Sequence, residues 1–418
     1  MAIVRSIAAL FAAVLCGLPA GQARAEAQPV FSDTGPEAGA YGAPVYPIGE
    51  RVAVRPQINL VGAFSHYDKL FAARPVARAA APSPLRRAAQ EIAVSYRYNG
   101  EPRSLTDYLE RHPTTGILIA QGDEILFEHY RYGRTDRDRL VGQSMSKTLT
   151  GMLLGIAVAD GRIASIDAPA AAYVPDLAGG EYGKTPIRAL LHMASGVAFR
   201  EVYDGNDDIA RLGRALFGTS GVGPAKALAQ FNTREAAPET RFHYASAETE
   251  VLGLVLSGAT GRSLADYLRE RIWQPMGAEA DANWAVDATG HEAAFCCFSA
   301  TLRDWARFGL LLAHDGAWNG RQIVPRQWLL DATTAGADAE YRAPRRATPF
   351  YGYGYQLWLF PGPRRQFALL GVHGQAIFVD PAARLVLAHT AVRVKPSRDP
   401  AAAELVALWT GLVEQRTQ

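Results

Sequence analysis

Ser144 and Lys147, in the stretch Gly142-Gln143-Ser144-Met145-Ser146-Lys147-Thr148, stand three residues apart. One helical turn puts such a pair on the same face, hydroxyl against amine. An amine buried in a core loses the solvation of its charged form, so its pKa falls and it can take the proton of a neighbouring hydroxyl. Ser144 is therefore the candidate nucleophile and Lys147 its base, while Ser146, adjacent to Lys147, points elsewhere. A helix start here would also favour the negative oxygen formed on attack. The chain holds only five lysines among 43 basic residues, and Lys147 alone has a serine three places before it. Leu149, Met152, Leu153, Ile156 and Val158 follow, making the helix apolar on most sides, as expected of a central helix with a buried lysine.

Two further elements complete the candidate site. Tyr244-Ala245-Ser246 lies between a predicted loop and an apolar helix that includes Val251 to Leu256. A phenol beside an ammonium is expected to have a lowered pKa and can relay a proton between nucleophile and leaving group. Gly371-Val372-His373-Gly374-Gln375 is predicted to sit at the tip between two strands. There the N–H of Val372, or as second choice Ala376, would join the N–H of Ser144 in holding a substrate oxyanion. His373 is a candidate substrate contact.

The elements that must position these residues follow from pattern. Gly116 to Ala120 and Ile125 to Tyr130, separated by Gln121-Gly122-Asp123-Glu124, predict an antiparallel hairpin directly before the Ser144 helix. From about residue 145 to 335 the pattern is mainly helical, with a turn at Asp204-Gly205-Asn206-Asp207 and an amphipathic segment from Leu302 to Ala313 entered at Ser299. Strands return at Tyr353–Phe360, Gln366–Val372 and Ala376–Val379 as a meander, then at Leu385–Val392, and a helix over Ala401–Val413 closes the chain. Strands from both ends must then share one antiparallel sheet around a helical insertion. Residues 26–110, rich in Pro, Ala and Gly, predict an extension that wraps a hydrolytic domain over 111–418, with Phe64, Tyr67 and Phe71 docking parts of it.

Composition bounds the rest. With 418 residues, 49% hydrophobic and 20% charged, the chain can bury a large core, and a net charge of +2 without a basic stripe excludes nucleic acid as a partner. Residues 1–25 predict a cleaved export signal: Arg5, an apolar stretch from Ile7 to Leu18, and Ala23-Arg24-Ala25 as a small-x-small cleavage site. No other stretch is long and apolar enough to span a bilayer, so an exported protein, periplasmic or secreted and without a stable membrane span, is expected. Cys16 follows Leu15, a poor context for lipid attachment. Cys296 and Cys297, adjacent and flanked by Phe295 and Phe298, are expected as buried free thiols. Nothing in the sequence bears on oligomeric state.

On these motifs the chain resembles the serine hydrolase family that includes class C β-lactamases, D-alanyl-D-alanine carboxypeptidases and related esterases. Within it the likeness is nearest to the 6-aminohexanoate-dimer hydrolases and their relatives. It covers roughly residues 105 to 395 and rests on Ser144-Met145-Ser146-Lys147, Leu191-His192-Met193-Ala194-Ser195-Gly196-Val197, Tyr244-Ala245-Ser246 and Ser299-Ala300-Thr301-Leu302-Arg303-Asp304. The resemblance implies an α+β fold of the β-lactamase/transpeptidase type. It also implies an acyl-enzyme on Ser144 with protons moved by Lys147 and Tyr244, a small ester or amide as substrate, and neither cofactor nor metal. It places Tyr203 at a substrate-contacting position of the oligoamide hydrolases, with Asp207 or Asp208 near a substrate-amine contact. Two departures narrow the substrate. The strand facing the serine reads Leu369-Leu370-Gly371-Val372 where the β-lactamases carry Lys-Thr-Gly or His-Thr-Gly, and Ser246 replaces a common asparagine. Both point to the esterase and amidase branch, with Ser246 a substrate-binding candidate, and away from a β-lactamase or carboxypeptidase.

Three other classes fit less well. An α/β-hydrolase needs Gly-x-Ser-x-Gly, and Gly142-Gln143-Ser144-Met145-Ser146 lacks the final glycine. A metal hydrolase needs clustered ligands, and the nine histidines are scattered. A catalytically silent binding protein on the same fold would be expected to have lost the serine, lysine or tyrosine, and all three are present.

Overall fold

Apolar residues fill both faces of the hairpin strands, and that pattern dictates the layering. In the computed structural model, which describes residues 37–42, 45–51, 56–219, 221–336 and 339–417, strands β5 (Thr114–Gln121) and β6 (Glu124–Tyr130) pair antiparallel as expected. The predicted signal segment and Cys16 lie outside the described residues.

Before this hairpin come helices α1 (Leu60–Ser65) and α2 (Tyr67–Leu70), strands β1 (Ala73–Val76) and β2 (Arg86–Arg87), the hairpin β3 (Ser95–Tyr98) and β4 (Glu101–Ser104), and helix α3 (Leu105–Arg111). After it come β7 (Leu140–Val141) and helices α4 (Ser146–Ala159), α5 (Glu181–Lys184), α6 (Ile187–Leu191), α7 (Asp208–Phe217), α8 (Pro224–Leu228), α9 (Ser246–Thr260) and α10 (Leu264–Leu268). Strands β8 (Ala282–Ala285) and β9 (Phe298–Ala300), helix α11 (Leu302–Ala313), the hairpin β10 (Ala317–Trp318) and β11 (Arg321–Gln322), and helix α12 (Arg326–Ala332) follow. Strands β12 (Gly352–Tyr353), β13 (Trp358–Leu359), β14 (Phe367–Gly371), β15 (Gln375–Asp380) and β16 (Leu385–Ala391) and helix α13 (Ala401–Thr417) end the chain.

The main sheet runs β12-β13-β14-β15-β16-β5-β6-β2, antiparallel except for the parallel β2–β6 edge, and joins the two ends of the chain at β16–β5, where Ile119 faces Leu387. Alternation along β5 explains its unbroken apolar run. Leu118 and Ala120 belong to the cluster under α11, and Ile117 and Ile119 to the cluster under α13, so both faces are covered. The fold class read from sequence holds.

Three local expectations do not. A second sheet, β1-β8-β9-β7, crosses the region expected to be mainly helical. Its strands β8 and β9 are only three or four residues long and buried on both faces, so they carry no alternation to read. The amphipathic helix α11 is capped by Thr301, whose hydroxyl accepts from the N–H of Asp304, while Ser299 lies within β9. Tyr353–Phe360 is two short strands broken at Gly354–Leu357. There Gln356 adopts φ 61°, and its amide donates to Leu190 O and accepts from Thr249, while its own carbonyl accepts from Thr148. The break thus ties α4, α6 and α9 together.

Candidate active site

Ser144 lies two residues ahead of α4 rather than within it. Gln143–Met145 forms a 3₁₀ turn that runs into α4, and in a 3₁₀ turn residues i and i+3 eclipse, so Ser144 and Lys147 still share a face. Gln143 carries a positive φ of 49° at the head of this turn. Ser146 fixes the turn: its buried hydroxyl donates to Gln143 O (2.8 Å) and accepts from the N–H of Phe298 on β9 (3.1 Å). Trp305 packs so close to Gly142 that a Cβ there would lie 2.3 Å from its ring.

Lys147 is 1% exposed, as the apolar α4 sequence predicts. Its Nζ lies 2.9 Å from Ser144 Oγ and 2.9 Å from Phe295 O, above the rings of Tyr244 and Phe295. Burial pulls its pKa down from 10.5 to about 8, against the opposing pull of the Glu201 and Glu250 carboxyls.

Tyr244 enters from the residue pair before α9, stacked on Trp358 at 5.3 Å and edge-on to Tyr353 at 6.1 Å. Its hydroxyl hydrogen-bonds Ser144. The expected lowering of its pKa does not occur. Burial and the Glu201 carboxylate push the phenol above its ordinary value, and the bond to Ser144 offsets this only in part. A lysine whose own charge is easily lost gives the phenolate little support.

Sequence reasoning missed Glu201. Its carboxylate accepts from Tyr203 Oη (2.6 Å), Ser246 Oγ (2.8 Å) and Ser246 N–H (2.7 Å), and it lines the same cleft as Ser144. The cue in the sequence is its place two residues before Tyr203, in a loop that turns back at Tyr203 (φ 63°) and so brings the two side chains together. Tyr203, Ser246, Val372 and His373 all line this cleft of about 610 Å³ with Ser144. The ring of His373 is already engaged, with Nδ1 2.7 Å from Arg393 O and Phe64 edge-on at 5.4 Å. Val372 follows Gly371, where a Cβ would lie 2.4 Å from Gly142 O, so only glycine lets the end of β14 approach the Ser144 turn this closely.

Asp207 and Asp208, which the resemblance placed near a substrate-amine contact, are not among the residues that line this cleft. Asp207 is buried, caps α7 at Ala210 N–H and accepts from the N–H groups of Val202 and Tyr203. Asp208 pairs with Arg211. Both are spent on holding the Tyr203 loop. The cysteines also differ from expectation: Cys296 and Cys297 form a disulfide with each other at the cleft wall. Cys297 adopts φ 72°, a reversal that lets neighbouring sulfurs meet. Ser195, in the second motif, donates to the buried Glu248 and acts structurally.

A profile of the beta-lactamase family matches residues 103–409, most of the chain. The chain belongs to the beta-lactamase family. This beta-lactamase-family chain is 31% identical over 284 residues to a 6-aminohexanoate-dimer hydrolase from Paenarthrobacter ureafaciens, covering 66% of its own length and 72% of that relative. A solved structure from Bacillus anthracis, provisionally named a 6-aminohexanoate-dimer hydrolase, superposes with a TM-score of 0.75 at 24% identity, covering 86% of this chain and 94% of that one. A family VIII carboxylesterase superposes with a TM-score of 0.56 at 19% identity, covering 72% and 93%. The fold and its relatives make this protein a serine hydrolase of the beta-lactamase family.

Proposed function

We propose that this hydrolase cleaves short esters or linear amides through an acyl-enzyme on Ser144. The observation that carries this reading is the Lys147 amine, 2.9 Å from Ser144 Oγ, with a pKa lowered by burial to about 8. In its neutral form Lys147 takes the Ser144 proton as Oγ bonds to the substrate carbonyl carbon. The N–H groups of Ser144 and Val372 hold the oxyanion. Tyr244, kept as a phenol, donates its proton to the departing oxygen or nitrogen and regains one from the Lys147 ammonium. Water then attacks the acyl carbon and gives a proton to the same base, the bond from that carbon to Oγ breaks, Lys147 returns the proton to Ser144 Oγ, and the acid leaves.

Three features disfavour a β-lactam substrate. β14 offers Leu369-Leu370-Gly371 and no lysine for a substrate carboxylate, and Glu201, bonded to Tyr203 and Ser246, puts a carboxylate into the cleft. An anchor of this charge-assisted kind is worth about 1.5–3 kcal/mol. The likeness to 6-aminohexanoate-dimer hydrolases and to a carboxylesterase favours linear amides and esters instead. A disulfide at the cleft wall also fits an oxidising compartment, in line with export directed by residues 1–25.

The test is fluorophosphonate labelling followed by side-by-side assays of p-nitrophenyl esters, linear oligoamides and nitrocefin. We expect label on Ser144, none after Ser144→Ala, clear esterase turnover and weak nitrocefin turnover. Label on another serine, or rapid nitrocefin hydrolysis without esterase activity, would overturn the proposal. Absence of any labelling would favour the silent binding protein.

A further inference from the structure

The cleft that opens on Ser144 is not closed by the family region alone. One wall comes from Arg51 and residues 60–71, ahead of the segment that matches the family profile at 103–409. Phe64 on α1, Tyr67 on α2 and Phe71 just beyond it face Ile209 and Phe217 on α7. Phe71 stacks on Tyr67 at 4.9 Å and meets Phe217 edge-on at 5.2 Å, so the two walls touch at the outer end. Arg51 seals that contact: its guanidinium lies over the Phe71 ring at 5.4 Å and donates to Leu70 O (2.7 Å) on one wall and to Phe217 O (3.3 Å) on the other.

Polarity is distributed unevenly along this cleft. Ser144, Glu201, Tyr203 and Ser246 gather at the inner end, where the bond would be cut. Outward, the facing side chains are aromatic and aliphatic. The two arginines at the rim are committed to backbone carbonyls, Arg51 as above and Arg214 to Gly205 O. A chain leaving the scissile bond in this direction would meet mainly apolar surface, with a carboxylate at its inner end and, at the rim, two guanidinium groups already oriented by backbone carbonyls. Burial of methylene groups against this surface is then an available source of binding energy.

Resting on the proposed hydrolytic reading, we propose that the aromatic wall donated by residues 60–71 is a substrate-chain subsite. It takes a linear, uncharged aliphatic segment on one side of the scissile ester or amide, and so makes the extension a determinant of chain-length preference.

The experiment measures kcat/KM along two homologous series, p-nitrophenyl acylates from acetate to decanoate and alkyl butyrates from methyl to octyl, so that either side of the scissile bond is read. Wild type, Phe71→Ala, Phe71→Leu and Phe217→Ala are compared after thermal melts establish that each is folded. We expect efficiency in the wild type to rise with chain length along one series. Each alanine variant should cut the long-to-short ratio in that series about tenfold, chiefly through KM, and Phe71→Leu should restore most of it. Two results would overturn the inference: wild-type efficiency that falls with every added methylene in both series, or folded alanine variants that keep the wild-type ratio. Should Phe71→Ala not fold, Phe217→Ala from the opposite wall decides. A wild type that cleaves no ester or amide fails the hydrolytic reading itself, a result separate from a flat ratio in an active enzyme.

Discussion

The role proposed for Lys147 depends on what surrounds it, and the balance can be shifted one charge at a time. Because the amine must be neutral to take a proton, kcat/KM should rise with pH in a step near 8, the value to which burial brings it. Glu201 opposes that lowering. Glu201→Gln should therefore move the step to lower pH, whereas Lys147→Arg, permanently charged, should lose activity by several orders of magnitude. A pH–rate profile of each variant checks both, and an unmoved step in Glu201→Gln would leave that carboxylate without electrostatic reach to the base. At this scale the sequence was informative about Ser144, Lys147 and Tyr244, because their spacing follows from helix geometry and from one recognisable tripeptide. It was silent on Glu201, which reaches the cleft through a loop anchored by Asp207, and it reversed the pKa shift of Tyr244, since burial is a property of the packed site rather than of neighbouring residue types.

The close approach of β14 to the Ser144 turn depends on Gly371. Adding a methyl group there would put it 2.4 Å from Gly142 O and 3.1 Å from the Gln143 side chain, both parts of the turn that carries Ser144. Gly371→Ala should cost about 1–3 kcal/mol of stability by overpacking. It should also lower kcat by at least roughly tenfold, as the proposed oxyanion donors at Ser144 and Val372 move apart. Denaturant melts and steady-state kinetics separate the two effects, and a variant with normal kcat would remove Val372 from its proposed role. The hairpin β5–β6, the closing helix and the strands β14 to β16 were legible because they are long and regularly patterned. The break at Gly354–Leu357 was not, because Gln356 turns there to satisfy partners on α6 and α9 that are distant in sequence.

For the whole molecule, two buried carboxyl groups behind the site set how stability responds to pH. Glu250 is 3% exposed, and burial raises its pKa from 4.5 to about 8; Glu248 is raised as well. A carboxyl that holds its proton more tightly when folded contributes stability fully below its unfolded pKa, and that contribution is lost as pH rises toward the folded value. Buried His192 and His389, whose pKa values are lowered, act in the opposite sense at and below their unfolded value of 6.5, so the carboxyl effect stands clear above it. Between pH 6.5 and 8 the thermal midpoint should fall, and Glu250→Gln should flatten that fall; identical slopes in both proteins would exclude Glu250 as its source. The pairing of β5 with β16 governs a different process, the making of the protein. While the chain is being synthesised, the apolar strand Gly116-Ile117-Leu118-Ile119-Ala120 can pair only with β6, and its other edge stays open until the residues of β16 have emerged. Long-range pairing of this kind slows folding and leaves a sticky edge exposed in the interim. A nascent or truncated chain lacking β16 should accordingly be a substrate for chaperones and proteases rather than a smaller enzyme, and activity should arise all at once with completion of the last strand.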